Sequence, residues 1–257
     1  MCGMRYEVCG TQGENLQKDL VLKKRKTRNK KRETMNKKLD QYIEQYSTPE
    51  DPVLEDLYRQ THIRFLNPNM VSGHLQGKFL EFISMMIRPE NILEIGTFTG
   101  YSAICLSRGL RPGGKLITIE MNDELSAFSY SFYCRAEADT KITQLTGKAQ
   151  DIIPGLDLLF DLVFIDGDKR EYIEYYKLII DKVKPGGFIL VDNVLWGGKV
   201  LETGTTDPQA MGIINFNNMI QNETTIEDVI IPLRDGLMLI RKKAQRLKGS
   251  MVRREDL

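Results

Sequence analysis

NILEIGTFTGYS, residues Asn91–Ser102, carries the instruction on which the fold turns. A short apolar run reads as a strand, Gly96 closes it, and apolar residues return at helical spacing from Tyr101 to Leu110. Gly96 and Gly100 in the intervening turn allow a ligand to approach backbone N–H groups at a helix N-terminus. The turn alone also accounts for a glycine pair, and the spacing is not the G-x-G-x-x-G of a dinucleotide site.

Working outward, the same strand-then-helix unit repeats. KLITIE follows the turn RPGG as a second strand, Asp123 to Ala136 reads as a helix, and KITQLTG as a third strand. FDLVFID is nearly all apolar, as a strand buried on both faces must be. Arg170 to Val183 is helical, PGGFILVD is a turn and fifth strand, and Ala210 to Ile220 is a helix. IEDVIIPL, RDG and LMLIRKK form a terminal antiparallel hairpin. Three helices precede the series, over Lys37–Tyr46, Pro52–Arg64 and Leu75–Ile87. Alternating strands and helices predict an α/β fold, a parallel sheet covered on both faces, with ligands gathered at the carboxyl ends of the strands.

The chain has 257 residues and a formal charge of +1, which conceals an asymmetry. Met1 to Thr34 holds 10 Lys and Arg against 4 Asp and Glu, leaving 26 against 31 from Met35 onward. KKRKTRNKKR, Lys23–Arg32, has no apolar residue with which to bury a face. It reads either as a solvated extension or as an arm for nucleic acid, and Met35 is an alternative start. Residues 1–34 are therefore taken as a basic extension and 35–257 as one domain. Cys2, Cys9, Cys105 and Cys134 form no C-x-x-C pair, which suits free thiols in a reducing compartment. Nothing approaches the roughly 18 apolar residues of a membrane span, and no early stretch suits a signal peptide. The expectation is a cytoplasmic protein without a membrane partner.

Chemistry gathers where the strands end. Glu94 lies in the first strand and Ser102 opens the next helix, while Glu120 ends the second strand 24 residues past Gly96. A carboxylate there can accept both hydroxyls of a ribose, so the pair points to a nucleoside-type cofactor.

E-x-G-x-x-x-G-Y-S, the acid ending LITIEMN, then GKAQDIIP, FIDGDK and LVDNVLWGGKV stand in one order and spacing. Together they resemble the metal-dependent O-methyltransferases related to catechol and caffeoyl-CoA O-methyltransferases, over roughly Met35 to Lys243. The resemblance implies a Rossmann-like class I methyltransferase fold: a seven-stranded, mostly parallel sheet with a reversed last strand, and N-terminal helices over the active site. It further implies S-adenosylmethionine across strands one, two and four, and a homodimer. Glu94, Gly96, Thr97, Ser102, Glu120, Ala149 and Asp168 match cofactor contacts. Ser72, in MVSG, matches another in the segment over the methionine end. WGGK, Trp196–Lys199, and Asp168 resemble the bacterial branch, although Ile214 stands before Asn215, Phe216 and Asn217 where that branch often has arginine.

Asp166 ends strand four, and Asp192 with Asn193 ends strand five. Two carboxylates and an amide oxygen at one point suit a hard divalent cation such as Mg²⁺; capping of the next helix is the competing reading for the acids. Vicinal acceptor oxygens on that cation would lose a proton more readily, since a free phenol has a pKa of about 10. Lys169 matches the family's lysine base, a role that a neighbouring cation and partial burial favour, and otherwise reads as a surface lysine. Asp168 is expected on the adenosine side. Trp196 suits either an acceptor-pocket wall or core packing. The leading expectation is methyl transfer to one hydroxyl of a catechol-like aromatic or vicinal diol. A tRNA methyltransferase acting on a hydroxylated uridine and a non-catalytic nucleotide-binding module stand as rivals.

Overall fold

The computed structural model describes residues 38–39 and 41–244, and the chain divides in sequence into two compact units between Pro49 and Glu50. In the first, residues 41–45 are helical. The expected boundary between residues 34 and 35, and the basic run, lie outside the described residues.

The second unit is built on a seven-stranded sheet: β1 (Asn91–Ile95), β2 (Lys115–Glu120), β3 (Ile142–Thr146), β4 (Phe160–Ile165), β5 (Val183–Val191), β6 (Ile226–Ile231) and β7 (Leu237–Lys242). Their order is β3-β2-β1-β4-β5-β7-β6, and β7, antiparallel to both β5 and β6, is the one strand that runs opposite to the other six. The reversed last strand is thus inserted between β5 and β6. The order reverses direction at β1 and β4, which opens a crevice at their carboxyl ends.

Side-chain parity divides the core in two. Ile92, Leu162, Phe164 and Leu190 face one side, against α1 (Pro52–Arg64), α2 (His74–Ile87), α3 (Tyr101–Ser107) and α4 (Ser126–Arg135). Leu93, Ile95, Val163, Ile165, Ile189 and Val191 face the other, against α5 (Ala149–Ile152), α6 (Tyr172–Ile179) and α7 (Pro208–Gln221). Because successive residues of a strand point to opposite faces and both faces are covered, β1 and β4 must be apolar almost throughout. Each such fully buried aliphatic side chain contributes about 1.5–3 kcal/mol.

Element ends differ from the sequence expectations for local reasons. The helix expected to reach Leu110 stops at Ser107, where Ser84 Oγ donates to the Leu106 carbonyl at 2.6 Å and Gly109 lies against the Ser84 backbone. The helix expected from Arg170 begins as a 3-10 turn over Lys169–Glu171, because the Asp168 carboxylate accepts from the Arg170 N–H. β5 starts before its Pro-Gly-Gly, at Val183, and the pairing with β4 shifts register between Phe160 and Leu162. An irregularity of this kind lets a strand carry proline and glycine. Among the described residues no helix is long and apolar enough to cross a membrane.

Candidate active site

The face that buries Ile92, Leu162, Phe164 and Leu190 also receives the acids. Glu94 follows Ile92 by two residues, Asp166 follows Phe164 by two, Asp192 follows Leu190 by two, and Glu120 follows Thr118 on β2. Cross-strand register aligns them, since Ile95 pairs with Ile165 and Ile165 with Val191. The ladder continues past the strand ends, with Asp166 N donating to Ile95 O at 2.8 Å and Asp192 N to Ile165 O at 2.9 Å. A two-residue period thus delivers four carboxylates to one edge of the sheet.

Asp166 and Asp192 occupy neighbouring strand ends. Lys169 Nζ donates to Asp166 Oδ1 at 2.7 Å and to the Gly167 carbonyl at 3.0 Å, and both charged side chains are mostly buried. Asp192 is 3% exposed. Its Oδ1 accepts from Asn193 N at 2.8 Å and its Oδ2 from Gln76 Nε2 at 2.7 Å. Burial, and then the Asp166 charge, push Asp192 up to about 6, against those hydrogen bonds and the Lys169 charge. Asn193 adopts a left-handed backbone, φ 58°, which asparagine tolerates, and the chain turns immediately after the acid. Among the described residues no group of three or more His, Cys, Asp and Glu is arranged to hold a metal ion. The donor set available is two carboxylates and an amide oxygen, all hard donors, with one ammonium opposing two acids. That set fits a divalent oxygen-seeking cation.

The β1–β2 side is built differently. Glu94 is fully buried; Thr118 Oγ1 donates to its Oε2 at 2.5 Å, while Oε1 has no hydrogen-bond partner. Desolvation raises Glu94 to about 8 against the Ser102 and Thr118 hydroxyls, and the negative charges of Asp166 and Glu120 add to the rise. An orphaned buried carboxylate oxygen is what a cationic ligand group would satisfy. Thr97 Oγ1 lies 2.5 Å from Thr118 Oγ1. Glu120 accepts from Phe98 N at 2.7 Å and Asn122 N at 2.9 Å, so its carboxylate is oriented by the glycine turn. Gly96 (φ 95°) presses on the Asp166 carbonyl, leaving no space for a Cβ, and thereby joins the two halves of the site. Ser102, Ala149 and Ser72 are all buried. Asp168 is engaged by Arg170, whose guanidinium hydrogen bonds hold its carboxyl below the usual range. Trp196 packs against the α6–α7 side of the core and donates Nε1–H to Asp207 Oδ2 at 3.2 Å.

Four supporting residues were not singled out in the sequence. Gln76 reaches Asp192 from α2, and Arg234 reaches Gln76 from the β6–β7 turn. Gln209 Oε1 accepts from Lys169 N at 3.0 Å, and Gly212 brings α7 against the Lys169–Arg170 backbone, where a Cβ would stand 2.5 Å from the Lys169 carbonyl. The first two pair across 158 positions, a separation at which no spacing pattern operates. Gly212 did carry a signal, because a glycine inside an apolar helix pattern often marks a close backbone approach.

Comparison with known proteins points one way. A family model described as O-methyltransferase matches residues 44–243. A catechol O-methyltransferase of Niastella koreensis is 38% identical over 162 residues, covering 62% of this chain and 73% of the relative. A caffeoyl-CoA O-methyltransferase of Petroselinum crispum is 30% identical over 220 residues, 79% and 90% of the two chains. The O-methyltransferase TomG of Streptomyces achromogenes, involved in tomaymycin synthesis and solved with SAM, has a TM-score of 0.76 at 31% identity, covering 80% of this chain and 96% of that one. An O-methyltransferase of Bacillus cereus solved with SAH has a TM-score of 0.72 at 29% identity, covering 80% and 97%.

Proposed function

The chain belongs to the O-methyltransferase family, and from that premise we propose that it transfers the methyl group of S-adenosylmethionine to one hydroxyl of a catechol-like or vicinal-diol small molecule, with a divalent cation, Mg²⁺ first, at Asp166, Asp192 and Asn193. One observation carries the reading: two acids on adjacent strand ends share a face with an amine held 2.7 Å from one of them, beside the glycine turn and Glu120. When bound, the cation would supply a positive centre that chelates two acceptor oxygens and makes the hydroxyl proton easier to lose.

The chain's own residues do the rest. Glu120, already oriented by two backbone N–H groups, is placed to accept the ribose hydroxyls, and Glu94 the cofactor's ammonium group. Ser72, Gly96, Thr97, Ser102, Ala149 and Asp168 complete the proposed cofactor surface. Lys169, in its neutral amine form after its ammonium has given a proton to solvent, would take the acceptor's proton at Nζ, with Gln209 and Gly212 fixing the backbone from which it reaches. The gain is chiefly one of position, since a sulfonium methyl is already reactive and needs an oxygen nucleophile held in line with it. A homodimer belongs to the same proposal on family resemblance alone, and a cytoplasmic setting on four cysteines that form no C-x-x-C pair. The tRNA reading rests on Lys23–Arg32, outside the described residues.

Methyl transfer from labelled cofactor is to be measured on a panel of catechols, flavonoids, acyl-CoA esters and bulk tRNA, each with and without excess EDTA. Label should enter a vicinal diol and cease with EDTA. Undiminished turnover in EDTA removes the cation, and label entering tRNA alone removes the acceptor class.

A further inference from the structure

The turn joining β6 to β7, Leu233 to Gly236, touches two segments that sequence leaves far apart. Arg234 Nη1 donates to the Val71 carbonyl at 3.0 Å, to the Ser72 carbonyl, and to Gln76 Oε1 at 2.8 Å, while Nη2 donates to the Asn69 carbonyl at 3.3 Å. Next to it, the Asp235 carbonyl accepts from Leu195 N at 2.9 Å and its carboxylate from Gly197 N, and the Gly236 carbonyl accepts from Val194 N at 3.0 Å. One tight turn therefore braces both the segment entering α2 and the loop leaving Asp192 and Asn193. Arg234 holds a left-handed backbone, φ 49°, a conformation that a non-glycine residue keeps only where its surroundings impose it.

Gln76 is 1% exposed and bridges the guanidinium and Asp192. A guanidinium has donors and no acceptor, so the amide must turn its oxygen to Arg234; its NH₂ is then committed to Asp192 Oδ2, at 2.7 Å. With Asn193 N on Oδ1, each oxygen of Asp192 has one protein donor and keeps its remaining lone pairs for the site. A neutral amide achieves this orientation without setting a full positive charge against the acid. An arginine or lysine reaching Asp192 directly would form an ion pair that competes with any cation.

We propose that Gln76, itself oriented by Arg234, is a positioning residue that fixes the Asp192 carboxylate for a divalent cation. The inference rests on the metal reading above and is separable from it. Removing an outer partner of a metal ligand typically weakens the metal by about 10–100-fold. Mn²⁺ binding is to be followed by electron paramagnetic resonance on acceptor-free protein with S-adenosylhomocysteine present, for wild type, Gln76→Met, Arg234→Met and the double variant. S-adenosylhomocysteine affinity, measured by calorimetry, serves as the control.

Gln76→Met should weaken Mn²⁺ by at least about tenfold with the cofactor product bound as in wild type, and Arg234→Met should add little once Gln76 is gone, because the two act in series. Should Gln76→Met fail to fold, Gln76→Asn, which keeps the amide but shortens its reach, carries the same expectation. Equal Mn²⁺ affinity in wild type and the Gln76 variant overturns this inference alone, as does full additivity of the two substitutions. Absence of Mn²⁺ binding in wild type overturns the metal reading, and the inference with it.

Discussion

Glu94 offers the sharpest test of the site's electrostatics, because its burial makes a signed and measurable demand. Its carboxyl moves from an ordinary 4.5 to about 8 in the folded chain, first through desolvation. The folded state then binds a proton that the unfolded state has lost, so this group's contribution is fully present below 4.5 and disappears as pH rises through about 8. Integrating over that window, ionisation of Glu94 removes about 3 kcal/mol between acid and about pH 7, and about 1 kcal/mol more by about pH 8.5. Glu94→Gln keeps an oxygen for Thr118 and abolishes the titration. Thermal melts of ligand-free wild type and variant should converge in acid and separate in alkali, the wild type losing about 2–4 °C more between about pH 7 and about pH 8.5.

The same group predicts a proton balance for the cofactor. A bound ammonium near the orphaned Oε1 would favour the carboxylate, so S-adenosylhomocysteine should expel a proton from wild type near neutrality and none from Glu94→Gln. Calorimetry in two buffers of different ionisation enthalpy reads this directly. Parallel melting curves for the two proteins would refute the burial argument. Buffer-independent heats in the wild type would refute the placement of a cationic group beside Glu94.

Two further outcomes follow from the loop around Lys169. Lys169→Met should lower kcat by about 10²–10⁴-fold with S-adenosylhomocysteine affinity retained, as expected for loss of a general base; loss of binding with kcat preserved would assign the residue elsewhere. Gly212→Ala places a Cβ 2.5 Å from the Lys169 carbonyl and 2.8 Å from Arg170 Cα, both backbone. It should destabilise by about 1–3 kcal/mol in a thermal melt and lower kcat together with it; an unchanged kcat would show that the α7 contact does not position Lys169.

The parts of this molecule legible in sequence are those governed by short periods. Apolar runs such as FDLVFI and the glycine after each strand declare β1, β4 and the crevice, because a strand covered on both faces has nowhere to place polar residues. The strand-end acids were legible for the same reason: Asp166 is where the run stops being apolar. Helix ends were less so, since Ser107 becomes a terminus through Ser84, a residue on another helix. The Arg234–Gln76–Asp192 series was not legible at all. Its members lie on a turn, a helix and a strand end, and only the folded sheet brings β7 beside β5.

The four strand-end acids have the same chemistry and different states, each set by its own surroundings. Glu120 at β2 is bound by two backbone N–H groups. Glu94 at β1 is buried without a counter-charge and is raised furthest. Asp166 at β4 has the Lys169 ammonium, and Asp192 at β5 is raised to about 6 with a neutral amide for company. One lysine cannot balance this edge, and folding alone leaves its negative charge uncompensated or protonated. Both ligands proposed for the crevice are cationic where they would meet these acids, a sulfonium amino acid at Glu94 and a divalent ion at Asp166 and Asp192. The first would favour the carboxylate of Glu94 and the second that of Asp192, and both acids feel the charge of Asp166 that lies between them. Occupancy of either half is therefore felt at the other, and by linkage the coupling must be equal in both directions.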